Sequence, residues 1–187
     1  MAEDPFALPP NLPVPEDDGA ADHLPGWELP SMSLPVAGGG QFDLRGTDAS
    51  DTLVAFVYPG TGRPGKALPL GWDDIPGARG CTPQSCSFRD RHAALTGLDA
   101  TVVGISAMDP AEQAAFAERE DIPYPLLNDG PLRLRDELGL PTFDIHGTTL
   151  YKRLTFVARG GRIEKVFYPV FPPDRNAAEV ESWLRAT

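Results

Sequence analysis

The two cysteines of this chain, Cys81 and Cys86, are the residues whose type and spacing point most directly to chemistry. Two cysteines are too few for a disulfide scaffold, and a spacing of five residues favours reactive thiols over a permanent cross-link. Cys81 ends a glycine-rich loop and stands where a helix is predicted to begin. A helix N-terminus carries partial positive charge and free amide donors, which stabilise a thiolate and lower the pKa of a thiol. Cys81 is therefore the candidate nucleophile, and Cys86, further into the helix, is the more protected thiol.

A disulfide between these two thiols conflicts with the helix that carries them. Five residues along an ideal helix separate two Cα atoms by about 8.6 Å and turn them onto different faces. A disulfide tolerates a Cα separation of at most about 7 Å. The pair can therefore bond only if the helix begins after Cys81 or if its first turns unwind.

Two other interpretations of the cysteine pair remain open from the residues alone. Both thiols could be buried structural side chains, or they could join His92 in binding a metal. Their spacing suits no common zinc site, in which about two to four residues separate paired ligands. His23 lies in the N-terminal segment and His146 in a loop, and neither is indicated as catalytic. We therefore expect no metal and no cofactor.

The charge of the chain is strongly acidic, with a formal value of −11 over 187 residues. Without a basic stripe, this charge argues against nucleic acid and anionic membrane surfaces as partners. No uninterrupted apolar stretch approaches the roughly 18 residues that a membrane helix needs. The acidic start lacks the basic and apolar regions of a signal peptide, so we expect a cytoplasmic protein.

Residues 1–35 differ in composition from the rest, because they hold eight prolines and seven acidic residues but no Lys or Arg. This composition is typical of an extended, loosely attached tail. Trp27, Leu29, Met32 and Leu34 could pin the end of the tail to the remainder. We therefore predict an N-terminal extension at 1–35 and one folded domain at 36–187.

Apolar runs separated by turn residues predict an alternating succession of strands and helices. The run 52–58 is continuously apolar, as expected of a strand buried on both faces of a sheet. Thr82 is predicted to cap the helix of the cysteines, with Pro83 at its first position. The order of strands and helices along the chain predicts an α/β sandwich with a mixed central sheet flanked by helices. Strands are expected at about 32–36, 41–44, 52–58, 101–106, 124–127, 148–158 and 162–168, and helices from 82 and at 109–120, 132–138 and 176–185.

The segment 80–90, GCTPQSCSFRD, resembles the active-site helix of peroxiredoxins of the Q type, the bacterioferritin comigratory proteins. That family's pattern is Cys-Thr-x-x-x-Cys-x-Phe-Arg-Asp at the start of a helix. The run 54–59 is similar to the strand that delivers the active-site loop, and 153–157 is similar to the family's Arg-x-Thr-Phe strand. The resemblance covers about residues 28–185 and implies a thioredoxin-like fold.

The resemblance also implies a thiol-dependent peroxidase of the atypical two-cysteine kind. Cys81 would attack a hydroperoxide and become a sulfenic acid, which Cys86 would resolve as an intramolecular disulfide. Arg153 would hold Cys81 as a thiolate and donate hydrogen bonds to the peroxide. The implied partners are hydrogen peroxide or an organic hydroperoxide, and a thioredoxin-like protein reductant. The chain would act as a monomer or homodimer.

One part of the family pattern is missing before Cys81. The family places Pro-x-x-x-Thr/Ser-x-x-Cys here, but Asp74 and Ala78 occupy the proline and hydroxyl positions. Residues 58–61 resemble the front half of the motif, separated from Cys81 by a Gly/Pro-rich insertion within 60–80. Thr61 is then the candidate hydroxyl, and Thr82 is a poorer one. The insertion predicts a remodelled pocket mouth, suited to a bulky or apolar hydroperoxide and built from Leu68, Leu70, Trp72 and Ile75.

Two rival functions would use the same thiols. A thiol-disulfide oxidoreductase would exchange disulfides with proteins without consuming peroxide, but such enzymes usually carry Cys-x-x-Cys, which is absent here. A redox-sensing binding module would use a disulfide to switch a partner surface. Its docking element would be the N-terminal segment or the aromatic-proline run at 167–173.

Overall fold

A mixed five-stranded sheet organises the protein in the computed structural model, which describes residues 8–46 and 51–187. In chain order, the strands are β1 (Ser33–Pro35), β2 (Gln41–Asp43), β3 (Thr52–Val57), β4 (Ala100–Ser106), β5 (Leu126–Asn128), β6 (Thr142–Ile145), β7 (Thr148–Tyr151), β8 (Leu154–Arg159) and β9 (Arg162–Phe167). The helices are α1 (Cys81–Thr96), α2 (Pro110–Arg119), α3 (Arg133–Leu138) and α4 (Asn176–Ala186). Single 3-10 turns lie at Trp72–Asp74 and Pro173–Arg175.

The central sheet has the strand order β5-β4-β3-β8-β9. Strands β3, β4 and β5 run parallel, whereas β8 is antiparallel to β3 and β9 is antiparallel to β8. Parallel neighbours need a crossover connection, which α1 provides between β3 and β4 and α2 provides between β4 and β5. The predicted mixed central sheet flanked by helices is confirmed.

Strand β3 forms the middle of the core because both of its faces are buried. Leu53, Ala55 and Val57 face one apolar cluster, in which α3 packs. Val54 and Phe56 face the other cluster, in which α1, α2 and α4 pack. Successive strand residues point to opposite faces, so a continuously apolar run serves both layers.

The predicted strand at 148–158 is wrong as a single element, because the chain changes sheets within it. Tyr151 ends β7, which pairs with β6 in a separate hairpin, and Leu154 begins β8, which pairs with β3. The amide of Lys152 donates to Pro141 O at 2.8 Å and closes the hairpin. Strand β6 was missed because its residues become a strand only through pairing with β7. The break leaves Arg153 between two sheets.

The N-terminal segment differs from the expected loose tail. Leu24 and Leu29 are 0% and 1% exposed in the cluster that also holds α3. Met32 and Leu34 are buried as predicted, whereas Trp27 is 46% exposed. Loose attachment is therefore wrong for residues 21–34, because their apolar side chains cover one face of the sheet. The boundary between 1–35 and 36–187 stays a prediction, and residues 1–7 lie outside the described part.

The insertion at 60–80 packs against the β6–β7 hairpin. Trp72 and Ala78 form a small buried cluster with Leu150 of β7, and Leu68 and Ile75 pack against this cluster. The insertion therefore has its own apolar support beside the start of α1. No helix in the described residues is both long enough and apolar enough to cross a membrane.

Replacing Leu24 with alanine tests whether the N-terminal segment belongs to the folded core. We expect Leu24→Ala to lower the free energy of unfolding by about 2–5 kcal/mol, because it removes a fully buried side chain and leaves a cavity. Val14→Ala is the matched control, since Val14 is 63% exposed, and should change stability by less than about 0.5 kcal/mol. Urea unfolding measures both. Equal stability of the two variants would show that the segment is not part of the cooperative unit.

Candidate active site

Cys81 is the first residue of α1, at the inner end of a small cavity. Its side chain is 3% exposed. Gly80 precedes it with a φ of 101°, a left-handed conformation that strongly favours glycine. A Cβ at residue 80 would overlap the ring of Pro173. The predicted cap at Thr82 is therefore wrong, because Gly80 is the N-cap and the helix begins at Cys81, two residues before Pro83.

Arg153 brings a guanidinium to the sulfur of Cys81. Its Nη2 donates to Cys81 Sγ at 3.1 Å, and the side chain is only 3% exposed. The same nitrogen donates to the carbonyls of Ala78 at 3.2 Å and Arg79 at 3.1 Å, and Nε donates to Gly77 O at 3.2 Å. The carbonyl groups of the loop before α1 thus point toward the side chain of Arg153, which lies between β7 and β8. Since Nη2 carries two N–H groups, the sulfur shares these donors with the two carbonyls.

A buried polar chain holds the other side of the guanidinium. Arg153 Nη1 donates to Gln84 Oε1, and Gln84 Nε2 donates to Asn176 Oδ1 at 3.0 Å. Thr155 Oγ1 donates to the same Asn176 oxygen at 2.6 Å. Gln84, Asn176 and Thr155 are all 0% exposed. Sequence reasoning missed these three residues. Two of them carried a signal: Thr155 lies in the Arg-x-Thr-Phe resemblance, and Gln84 lies three positions after Cys81 and so projects near the same helix face.

Cys81 belongs to the apolar cluster that contains the aromatic side chains of β3 and α1. Tyr58 belongs to the same apolar cluster as Cys81 and is 0% exposed. Burial raises the pKa of Tyr58, the hydrogen bond from Gln113 opposes the rise, and the charge at Cys81 adds to it. Gln113 Nε2 donates to Tyr58 Oη at 3.1 Å. The sulfur therefore lies between an apolar floor and the guanidinium.

Cys86 lies on the same helix as Cys81, and both thiols are free. Its side chain is buried at 6% exposure. Burial raises the pKa of the Cys86 thiol, and the positive charge of Arg89 opposes this shift. In this conformation the protonated thiol of Cys86 is favoured, as expected for the more protected cysteine.

Thr61 does not join the group around the sulfur. Its Oγ1 donates to Met108 Sδ at 3.7 Å, and the cavity at Cys81 is lined by Gly60 and Gly62 but not by Thr61. Thr82 lines that cavity. A catalytic role for Thr61 stays a prediction, and the geometry directs its hydroxyl away from the sulfur.

The insertion provides the mouth of the site. Leu68 and Trp72 line the Cys81 cavity, whose volume is ≈ 40 Å³. Leu70 lines an outer cavity and is 86% exposed, and Ile75 packs behind the loop. Two of the four residues expected at the mouth therefore lie beside the cysteine.

Comparison with known proteins agrees with this geometry. A family model described as Redoxin matches residues 24–184. The chloroplastic peroxiredoxin Q of Gentiana triflora is 31% identical over 155 residues, covering 78% of this chain and 64% of the relative. The chloroplastic peroxiredoxin Q of Populus jackii is 32% identical over 134 residues, covering 72% of this chain and 55% of the relative. The chain thus spans less than two thirds of the length of these curated relatives.

Solved structures show the same fold. Peroxidoxin BcpB of Mycobacterium tuberculosis superimposes with a TM-score of 0.69 at 29% identity, covering 87% of this chain and 96% of that one. A structure of peroxiredoxin Q from Xanthomonas campestris gives a TM-score of 0.64 at 21% identity, covering 94% of this chain and 96% of that one. The thioredoxin-like α/β sandwich and the resemblance to Q-type peroxiredoxins are confirmed. With family model, relatives and fold in agreement, this chain belongs to the redoxin family, alongside the Q-type peroxiredoxins.

Proposed function

We propose that this protein is a thiol-dependent peroxidase in which Cys81 reduces hydroperoxides. The observation that carries the proposal is the contact of the Arg153 guanidinium with Cys81 Sγ at 3.1 Å. A buried cation is costly unless an anion or several acceptors compensate it. Among the partners of Arg153 in the described residues, only the sulfur can become negative. This arrangement supports a thiolate at Cys81.

The first step of the proposed reaction oxidises the sulfur by two electrons. The Cys81 thiolate attacks the terminal oxygen of ROOH, so that an S–O bond forms and the O–O bond breaks. Cys81 becomes a sulfenic acid, and RO⁻ leaves and takes a proton to give ROH. Arg153 lies where it can donate to the oxygen that gains negative charge.

The second step uses Cys86 as the resolving thiol. Its sulfur attacks the sulfenic acid, forming the S–S bond and releasing water. Both cysteines lie within α1, and residues 81–86 are all buried. The first turns of α1 must therefore unwind before the sulfurs can meet, as the helix geometry requires. An external dithiol then restores both thiols by exchange and is itself oxidised to a disulfide.

The remaining parts of the proposal concern partners and surroundings. We propose a thioredoxin-like protein as the dithiol reductant, a monomer or homodimer as the working form, and a cytoplasmic location. Nucleic acids and membranes are not proposed as partners, in keeping with the net charge of −11.

The burial of Cys81 favours this function over protein disulfide exchange. Exchange with a protein disulfide requires the nucleophile to reach a bulky partner, whereas Cys81 is 3% exposed behind a cavity of ≈ 40 Å³. That volume suits a small group, because a cavity of about 10–15 Å³ already holds one water. A hydroperoxide group can therefore reach the reduced sulfur more readily than a protein can.

Replacing each cysteine with serine separates their proposed roles. Cys81→Ser should abolish peroxide consumption, because the nucleophile is lost. Cys86→Ser should reduce one equivalent of peroxide and then stop without an intramolecular disulfide. Peroxide assays with a thioredoxin system and mass spectrometry of the oxidised chains measure both results. Full steady-state turnover of Cys86→Ser with thioredoxin would contradict the resolving role.

Replacing Arg153 with lysine tests the guanidinium contact. Arg153→Lys keeps the charge but loses the planar fork, so we expect the rate constant for oxidation of Cys81 by hydrogen peroxide to fall about 100-fold. Arg159→Lys is the control, since Arg159 lies on the same strand β8 and pairs with Glu164 at 3.3 Å. Stopped-flow fluorescence measures both rates. Similar rates for the two variants would remove the argument for Arg153.

Disulfide formation should accelerate as the pH rises. Burial raises the pKa of Cys86 in the folded helix, whereas an unwound helix returns it to about 8.5. A raised folded-state pKa stabilises the helix below the unfolded value, and this stabilisation is lost as the pH increases. Both helix unwinding and thiolate formation are therefore promoted as the pH rises above about 8.5 toward the raised pKa of the folded state. Acid-quenched time courses after one equivalent of peroxide measure the rate, and a pH-independent rate would contradict the assignment.

A further inference from the structure

Asn176 is the first residue of α4 and lies one side chain away from the guanidinium of Arg153. Its Oδ1 accepts two hydrogen bonds, from Gln84 Nε2 at 3.0 Å and from Thr155 Oγ1 at 2.6 Å. Gln84 in turn accepts from Arg153 Nη1 through its own Oε1. Asn176 therefore reaches the guanidinium through Gln84, and its effect on the chemistry at the sulfur is indirect.

Packing fixes the position of Asn176 against α1. Ala177 and Val180, which follow it in α4, are 0% exposed and belong to the apolar cluster in which α1 packs. Just before α4, the ring of Pro173 lies so close to Gly80 that a Cβ at residue 80 would overlap it. The start of α4 is therefore held against the first turns of α1.

The hydrogen bonds of this group have one consistent direction. A guanidinium only donates, so the atom of Gln84 that faces Arg153 must be the amide oxygen. The amide nitrogen of Gln84 then faces Asn176, which must present its own oxygen. The hydroxyl of Thr155 can donate or accept, and here it donates to that oxygen. An oxygen of Asn176 facing Gln84 and an oxygen of Gln84 facing Arg153 therefore require each other.

The other end of the Asn176 amide has no partner. Its Nδ2 is buried, and no acceptor in the described part of the chain bonds to it. An unpaired buried donor is destabilising. A carboxylate at this position would supply oxygens without that donor, but its charge would compete with the Cys81 sulfur for the guanidinium. A neutral amide supplies the oxygen that Gln84 needs without this competition.

We propose that Asn176 is a positioning residue for Arg153, because its oxygen fixes which end of the Gln84 amide faces the guanidinium. If the Gln84 amide turned over, its nitrogen would meet the N–H groups of Arg153, and the guanidinium would lose an acceptor. Arg153 would then be held less firmly beside Cys81. This inference depends on the peroxidase function proposed above and assigns a residue that supports its first step.

The test measures how fast hydrogen peroxide oxidises Cys81 in variants of this group. Asn176→Leu keeps the branched shape of the side chain and removes the oxygen, so we expect the rate constant to fall about 10-fold as the guanidinium loses its fixed position. Thr155→Val removes one of the two donors that hold this oxygen and should lower the rate constant about threefold. Stopped-flow fluorescence measures the rates, and urea unfolding measures the stability of each variant.

A Gln84→Glu background separates positioning from a purely structural role. Either oxygen of a carboxylate can face Arg153, so the side chain at residue 84 then has no end that must be selected. The added charge alters the rate of this background itself, so the effect of Asn176→Leu is taken relative to Gln84→Glu alone. We expect that effect to shrink from about 10-fold to less than about twofold. A purely structural role gives the same loss in both backgrounds, and that result would overturn the inference.

Asn128→Leu is the matched control, because it makes the same change at another buried asparagine, which lies on β5. Asn128 Nδ2 donates to Met108 O at 2.8 Å and to Gln113 Oε1 at 3.1 Å. It thus belongs to a hydrogen-bonded group separate from that of Arg153. Asn128→Leu should lose stability, since it removes buried hydrogen bonds, yet keep the oxidation rate of the unmodified protein.

The outcomes distinguish failure of the inference from failure of the function. Unchanged oxidation rates in both Asn176→Leu and Thr155→Val would overturn the inference, and so would an equal slowing in Asn128→Leu. In these cases rapid oxidation of the unmodified protein would still support the peroxidase function. Oxidation of the unmodified protein no faster than that of a free thiol would overturn the function and the inference together.

Discussion

A buried guanidinium beside a buried sulfur is the interaction on which the rest of this site depends. Arg153 is 3% exposed, and a cation so far from water must have its donors satisfied. Three loop carbonyls, one side-chain amide and the Cys81 sulfur satisfy them. The loop before α1 must therefore keep one conformation, and Gly80 makes the turn that this conformation needs. The guanidinium that donates to the sulfur also orders the backbone around it.

The proposed reaction places opposing demands on α1. Attack on a peroxide requires Cys81 to stay at the helix N-terminus beside Arg153, whereas disulfide formation requires the same turn to open. Burial of residues 81–86 stabilises the first arrangement. In the proposed reaction, oxidation of Cys81 would change this balance, because a neutral sulfenic acid would not compensate the guanidinium as a thiolate would. We infer that the oxidised sulfur weakens the contact that keeps the helix closed.

The insertion supplies part of what surrounds the sulfur, because Leu68 and Trp72 line its cavity and Cys81 Sγ donates to Ala78 O at 3.6 Å. In the sequence, Ala78 occupies the hydroxyl position of the family pattern, and its carbonyl accepts from Arg153 Nη2 at 3.2 Å. The outer part of the insertion packs on the β6–β7 hairpin through Trp72 and Leu150. A segment anchored in this way lines the cavity at Cys81, and its last residues also hold the guanidinium of Arg153.

The sequence by itself was enough to identify the two thiols, the strand β3 that is buried on both faces, and a helix beginning near Cys81. It also indicated the family. These features depend on neighbouring residues in the chain or on a contiguous motif. The sequence also indicated Arg153, but only through the resemblance. The contact itself joins residues 72 positions apart, and the bond from Gln84 to Asn176 joins residues 92 apart. Such contacts depend on where the sheet brings α1, the β7–β8 break and α4 together. Tertiary structure alone decided that Leu24 enters the core and that Lys66 lies at the cysteine cavity, because burial and the lining of a cavity depend on how separate elements pack and leave no periodic pattern in the sequence.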